Sequence, residues 1–235
     1  MKPARSDDPR MLLIDTSGRI GWVAVAQGST ILGEQRLEES RRHARDLAPA
    51  VASLCRQQGW HARELEAVVV SIGPGSYTGL RVGIMSAKTF AYATGCVLLK
   101  VPTFRALVEQ TPAEASTVDI VADAQQRRLY VQRFDRVAGG WREGELQILA
   151  VADWLGSLPS NVWVGGPGAA LVDDELPPII RRVPATHCVV QPASLLQLGL
   201  ERWRRGEADD FWSVEPLYLR ASNAEENWER RRRSQ

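Results

Sequence analysis

Blocks of apolar residues separated by short polar turns run along the chain and predict its elements. Residues 11–14 are apolar and end on Asp15, Thr16 and Ser17; residues 20–26 and 31–37 follow after turns at Gly18-Arg19 and Gln27-Gly28-Ser29-Thr30. Turns this short between strand-like runs predict an antiparallel meander. In residues 42–59, Ala44, Leu47, Ala48, Val51, Leu54 and Cys55 recur at helical spacing, so an amphipathic helix is expected, with Pro49 bending it or marking its true start. Residues 67–72, Ala67-Val68-Val69-Val70-Ser71-Ile72, read as a buried strand. Residues 78–94 hold no proline and read as a helix in which Gly79, Gly83, Ala87 and Ala91 recur every fourth position, with Gly95 next in the series. That spacing makes a ridge almost without side chains, along which another backbone can approach. At 3.6 residues per turn, Leu80, Ile84 and Phe90 flank the ridge while Val82, Met85 and Tyr92 lie roughly opposite. A helix apolar nearly all round must be covered on both faces, one by its own sheet and the other by a further helix or a partner.

Residues 97–101 read as the next strand, and a short helix with Phe104, Leu107 and Val108 starts at Pro102-Thr103. The order βββαβα, then β, fits the first half of an actin-like, ribonuclease H-like α/β fold, a meander joined to parallel strands through helices. A second unit follows the same plan. Residues 118–122 form a strand ending on Asp123, residues 124–127 turn, and residues 128–135 return as a strand, with a third strand in 145–150. Residues 151–158 predict a helix, 161–164 a strand, 172–184 a proline-rich loop, 192–206 a helix, and Pro216-Leu217-Tyr218-Leu219-Arg220 an extended segment. The expected organisation is two subdomains, 11–103 and 104–220, each with a mixed sheet flanked by helices, with polar tails at 1–10 and 221–235.

Composition narrows the function classes. The hydrophobic fraction of 44% supports a sizeable core. Twenty-nine Lys and Arg against 28 Asp and Glu leave a formal charge of +1, so the molecule as a whole is no electrostatic trap for nucleic acid. Cys55, Cys96 and Cys188 are odd in number and far apart, which fits buried thiols rather than a disulfide framework or zinc site. Residues 1–10 lack the apolar core of a signal peptide and no later run is long enough to span a membrane, so a cytoplasmic protein is expected. Arg230-Arg231-Arg232-Arg233 stands as a solvated tail or an RNA contact.

Two places carry candidate chemistry. Gly73-Pro74-Gly75-Ser76-Tyr77-Thr78-Gly79 joins a strand to a helix start. Such a turn either presents backbone N–H groups to an anion or simply permits a tight bend. It is neither a P-loop nor the dinucleotide fingerprint, since no Gly-Lys-Ser/Thr follows and Thr78 stands at the third glycine position. Asp15 ends the first strand, where a carboxylate holds Mg²⁺, faces a phosphate, or caps its own turn.

These motifs together identify a family resemblance. Leu13-Ile14-Asp15-Thr16-Ser17, the segment Gly73-Pro74-Gly75-Ser76-Tyr77-Thr78-Gly79-Leu80-Arg81-Val82-Gly83, Asp123-Ala124 with Tyr130, and Pro216-Leu217-Tyr218-Leu219-Arg220 closely resemble the bacterial TsaB (YeaZ) family, over about 11–220. The resemblance implies a two-subdomain actin-like fold. It also implies a role in making threonylcarbamoyladenosine in tRNAs that read codons beginning with A. In such systems TsaD transfers the threonylcarbamoyl group from an adenylate made by another enzyme, TsaB is its non-catalytic partner, and a small ATPase, TsaE, joins them. The residues agree with the non-catalytic half. The catalytic relative holds a metal with two histidines on the helix after the meander; here that helix carries His43, with Asp46 and Leu47 where a second ligand would stand. His61 and His187 lie elsewhere, so no metal site and no catalytic residue is expected. Gln125 stands where many family members carry Arg after Asp-Ala.

The expected partner interface is Gly79, Val82, Gly83, Met85, Ser86, Ala87, Phe90 and Ala91, with Leu47 and Val51 of the neighbouring helix; the competing reading packs the small ridge on the chain's own sheet and turns Val82, Met85 and Tyr92 to the partner. It would receive TsaD or, in its absence, a second copy of this chain. The expected nucleotide or anion cleft is Asp15, Thr16, Ser17, Gly73, Gly75, Ser76 and Asp123. The chain itself is expected to need no cofactor, with ATP and a divalent metal belonging to the complex, and tRNA is met through the complex. The alternative classes are an actin-fold ATPase or phosphotransferase, for which Thr16-Ser17-Gly18 is a partial match, and a ribonuclease H-type nuclease, which lacks an acid at the end of the strand finishing Ser71-Ile72-Gly73.

Overall fold

The structure is a computed structural model that describes residues 5–37 and 43–219, apart from the side chains of His43 and Ala44. Arg42, the His43 imidazole, Arg220 and Arg230 to Arg233 lie outside the described residues.

Two sheets share one topology. In the first, β1 (Arg10–Asp15), β2 (Trp22–Gln27) and β3 (Thr30–Arg36) form the antiparallel meander, and β4 (Ala67–Ser71) and β5 (Val97–Val101) add in parallel, giving the order β3-β2-β1-β4-β5. The parallel joins need crossovers, supplied by α1 (His43–Gln57) before β4 and α2 (Tyr77–Thr94) before β5. In the second sheet β6 (Thr117–Asp123), β7 (Arg128–Val137) and β8 (Gly140–Glu143) form a meander, and β10 (Trp163–Gly165) and β11 (Arg181–Arg182) add in parallel. Its path β8-β7-β6-β10-β11 repeats that of the first sheet, with β9 (Gln147–Ala150) pairing on β7 as an addition. This is the actin-like, ribonuclease H-like plan that the element order predicts. β8 and β11 were not legible as strands. β8 is four residues with only Trp141 buried, and β11 is two exposed arginines inside the stretch expected to be loop.

Alternation along β1 sends its side chains into two cores. Leu12 and Ile14 join Val23, Val25, Val68 and Val70 beneath α1 and α2. Met11 and Leu13 join Ala24, Ala67 and Val69 on the opposite face, which α5 (Pro192–Arg204) crosses, touching all five strands. α3 (Thr103–Glu109) packs between α5 and β6. The outer face of the second sheet is closed by α4 (Val151–Gly156), whose Trp154 packs with Val121, Leu129 and Val164. Helix α5 falls in 104–220 by sequence, yet it packs on the first sheet. Gly199 allows this, since a Cβ there would stand 2.6 Å from Val69 Cγ2. Pro49 sits inside α1 and does not end it.

Candidate functional site

The register of β1 against β4 pairs Ile14 with Val70, so Asp15 and Ser71 end their strands side by side. The turns that follow are therefore packed on each other. Asp15 is buried, and its Oδ1 accepts from the Ser17 amide at 3.2 Å, from the Ser17 hydroxyl at 2.7 Å and from the Ser71 hydroxyl. Of the readings open at Asp15, the one seen is the carboxylate that caps its own turn. The Thr16 hydroxyl donates to the Gly79 carbonyl at 2.7 Å, and the Ser76 amide donates to the Ser17 carbonyl at 2.7 Å. Ser76 caps α2, its Oγ accepting from the Gly79 amide at 3.2 Å. Gly73 exchanges hydrogen bonds with Thr103 at 2.8 and 2.9 Å, and its φ of 109° lies where a side chain is strained.

Asp15, Thr16, Ser17, Gly73, Gly75 and Ser76 thus do come together, but as a closed junction. A Cβ at Gly75 would collide with the Ser17 carbonyl. The amides of Ser76, Gly79 and Leu80 are engaged within the chain. Those three donors are therefore committed within the chain. Asp123 is not part of this junction. It ends β6 in the other sheet, is exposed, and its Oδ1 accepts from the Gln125 amide at 2.7 Å. The turn it starts holds Gln125, Gln126 and Arg127 at φ of 66°, 55° and 57°, pinned by a two-point ion pair from Arg127 to Glu175 at 2.8 and 2.6 Å. That hydrogen bonding holds the Glu175 carboxyl below its ordinary range. Among the described residues no group of three or more His, Cys, Asp and Glu stands together as a metal centre, and no helix is long and apolar enough to cross a membrane.

Helix α2 corrects the expected interface. Gly79, Gly83, Ala87 and Ala91 are buried on the chain's own sheet. A Cβ at Gly79 would overlap the Thr16 carbonyl oxygen, and one at Gly83 would overlap the Thr16 hydroxyl and lie 3.6 Å from Ile14 Cγ2. The bare ridge is what lets α2 lie against β1, so it is spent internally. Leu47 and Val51 are buried in the same core, with Phe90 and Val82 half-buried against it. Ser86 is half-buried. Of the ten residues expected at the interface, Met85 alone is exposed; Thr78, Arg81, Thr89 and Tyr92 complete its outward stripe.

A segment of which the sequence singled out only residues 216–220, as extended, lies along this helix. Residues 207–219, here called the strap, leave α5 and run antiparallel to α2. Asp209 bridges to Leu98 at the edge of the first sheet, its amide donating to the Leu98 carbonyl at 2.9 Å and its carboxylate taking the Lys100 amide at 2.8 Å. Lys88 Nζ donates to the carbonyls of Trp212 at 3.3 Å and Val214 at 3.1 Å. Tyr92 meets the rings of Phe211 and Trp212 edge-on, with centroids 5.9 and 6.0 Å away. Near the helix start Tyr218 stacks on Tyr77 at 4.8 Å, and Arg81 lies 4.1 Å over Tyr77 and donates to the Tyr218 hydroxyl at 2.9 Å. Burial pushes the Tyr218 hydroxyl up, against that hydrogen bond. The strap ends with the Leu217 amide on the Ile72 carbonyl at 2.8 Å, beside Gly73. Both cations of α2 therefore hold the strap. The adjacent aromatics Phe211 and Trp212 in a polar connection were the available signal.

Comparison with known proteins agrees with this architecture. Residues 31–161 match the family model described as TsaD: tRNA N6-adenosine threonylcarbamoyltransferase. The chain is similar to the tRNA threonylcarbamoyladenosine biosynthesis protein TsaB of Bacillus subtilis, 27% identical over 93% of this chain and 97% of the relative. It is also similar to an uncharacterized protein of Mycobacterium tuberculosis, 32% identical over 73% of this chain and 81% of that one. Among solved structures, YeaZ from Pseudomonas aeruginosa shares the fold with a TM-score of 0.76 at 24% identity, covering 90% of this chain and all of that one. With its Asp-Thr-Ser strand end, its Gly-Pro-Gly-Ser helix start and two sheets of one topology, the chain belongs to the TsaB (YeaZ) family.

Proposed function

We propose that this chain acts in threonylcarbamoyladenosine biosynthesis on tRNA as a non-catalytic subunit that pairs with a TsaD-like catalytic subunit. A TsaE-like ATPase joins the pair, tRNA is met through the complex, and a second copy of the chain takes the partner's place when the catalytic subunit is absent. The observation that carries this reading is the division of labour on α2. Its small ridge is consumed by its own sheet while Met85 and Tyr92, 58% and 69% exposed, face outward on a helix anchored from behind. Large apolar side chains grouped on one face mark an interaction surface. The match to the TsaD family model spans α1 and α2, so a catalytic subunit of that family carries a comparable helix pair to set against this one. The Asp15 junction supports the non-catalytic part of the reading, because its carboxylate and hydroxyls hold two turns together.

The test mixes the purified chain with the catalytic subunit of its own organism and measures complex mass by sedimentation and tRNA modification from threonylcarbamoyl-adenylate. Modification is expected only with both chains present, and Met85→Asp is expected to lower both assembly and modification while leaving the melting curve unchanged. Modification by this chain alone, or full activity of the catalytic subunit without it, overturns the proposal.

A further inference from the structure

The outward stripe of α2 is not a complete surface by itself. A standard interface buries roughly 800 Å² on each partner. Met85 and Tyr92 are the large apolar side chains that α2 exposes, and they supply about a third of that, taking roughly 150–250 Å² for a whole aromatic side chain. The rest lies on the strap. Trp212 is 72% exposed, and Leu217 and Tyr218 are also exposed. Five of the eleven exposed large hydrophobic residues among those described thus fall on α2 and the strap running along it. With the strap included, the apolar area offered rises to roughly 600 Å², close to what a stable pair needs.

The strap is also built to stay there. Val214 is buried in the core beneath α2, Lys88 binds the carbonyls on either side of Ser213, and Arg81 with Tyr77 holds Tyr218. Trp212 lies between Val214 and Asp209, which is tied to Leu98 and Lys100, and its ring contacts are with Tyr92 and Phe211. A large indole held in place and left open to solvent is the residue type that most often dominates binding energy in a protein interface.

We propose that the partner-binding surface is a composite of α2 and the strap, in which Trp212 and Tyr92 are anchors received by an apolar pocket on the catalytic subunit. This rests on the reading of α2 given under Proposed function and adds the strap to it. Lys88 and Arg81 are positioning residues, since they fix the strap and leave the partner to the aromatic rings.

The experiment measures the affinity of the full chain for the catalytic subunit by titration calorimetry, with the melting temperature of each variant alongside. Trp212→Ala is expected to weaken binding at least tenfold with an unchanged melting temperature, and Trp212→Phe to restore part of the loss. Val189→Asp, at another exposed apolar position, is expected to bind as the parent does. If Trp212→Ala binds within twofold while Met85→Asp abolishes binding, the composite surface is wrong and the helix interface stands. If neither changes the affinity, both readings fail. Weaker binding together with a lower melting temperature, not recovered by Trp212→Phe, also overturns the proposal, because Trp212 would then act on the fold.

Discussion

Replacing Gly79 by alanine tests the ridge directly. The added methyl has nowhere to go. Its carbon would overlap the Thr16 carbonyl oxygen and lie 3.2 Å from the Thr16 carbonyl carbon, inside the ~3.5–4.0 Å optimum for non-bonded carbon contacts. The obstacle is backbone at the end of β1, held by the Asp15 and Ser76 hydrogen bonds, so α2 itself must move outward. Overpacking of this kind costs about 1–3 kcal/mol. The shift also stretches the buried hydrogen bond from Thr16 to Gly79, worth about 1 kcal/mol. Against this, alanine gains about 1 kcal/mol over glycine in a helix. The net loss is about 2 kcal/mol, which for a domain of this size lowers the melting temperature by about 4–8 °C. Thermal unfolding followed by circular dichroism reads it. Gly156→Ala is the control, since Gly156 is also helical and a Cβ there meets nothing within 4 Å, so it is expected to gain up to about 1 kcal/mol and to lose none. Gly83→Ala should lose less than Gly79→Ala, because the Thr16 hydroxyl it meets can rotate. A Gly79→Ala protein that melts at or above the parent temperature would refute the close approach of α2 to β1. By the same geometry, larger side chains on the ridge, as in Gly83→Leu and Ala87→Trp, act on folding of the subunit before they act on association.

Two further outcomes follow from the second sheet. Asp119 is fully buried and takes two hydrogen bonds from Arg133, at 2.7 and 2.9 Å, and one from Trp154 Nε1 at 3.0 Å. Asp119→Asn removes the charge that pairs with Arg133 and is expected to cost about 3 kcal/mol in urea unfolding, at the low end for a broken buried pair because the arginine is partly solvated; a loss under ~1 kcal/mol contradicts the assigned network. Asp135 is held below the usual carboxylate range, first by the Arg142 hydrogen bond and then by Thr117. A depressed folded-state pKa contributes stability above the unfolded value of about 4 and loses it as pH falls through the folded value. The stability difference between the parent and Asp135→Asn should therefore be constant from neutral pH to about 5 and shrink on further acidification, and a difference that stays flat to pH 3 would show that Asp135 is not shifted.

The first sheet was legible in the sequence because β1, β2, β4 and β5 are largely buried on both faces and so read as apolar runs, and because short turns dictate a meander that takes in the mostly exposed β3. The second sheet was legible in β6 and β7 and illegible in β8 and β11, whose few residues are mostly polar and are strands only because a neighbour offers its edge. The cleft motif was legible as a cluster of residue types, and six of its seven members meet. Its closure was not, since it depends on a register that sets Ser71 beside Asp15 and on Gly75 lying against Ser17. Asp123 looked equivalent to Asp15 because each ends the first strand of a meander, but it serves its own exposed turn.

Helix α2 marks the boundary most clearly. Residue spacing by itself determined that one face is small, that the opposite face carries Val82, Met85 and Tyr92, and that both need cover. It left open which face the sheet takes, because a period of 3.6 fixes angles about the helix axis and says nothing of what stands at each angle. Packing decided that: the bare ridge goes where backbone must meet backbone, against β1 and the Thr16 turn, leaving Met85 and Tyr92 outside and Val82 half-buried at the margin. Tertiary structure alone also brought residues more than a hundred positions away, Phe211 to Tyr218, onto that stripe, since hydrogen bonds from Lys88 and Arg81 to the strap join parts of the chain whose proximity no local pattern encodes.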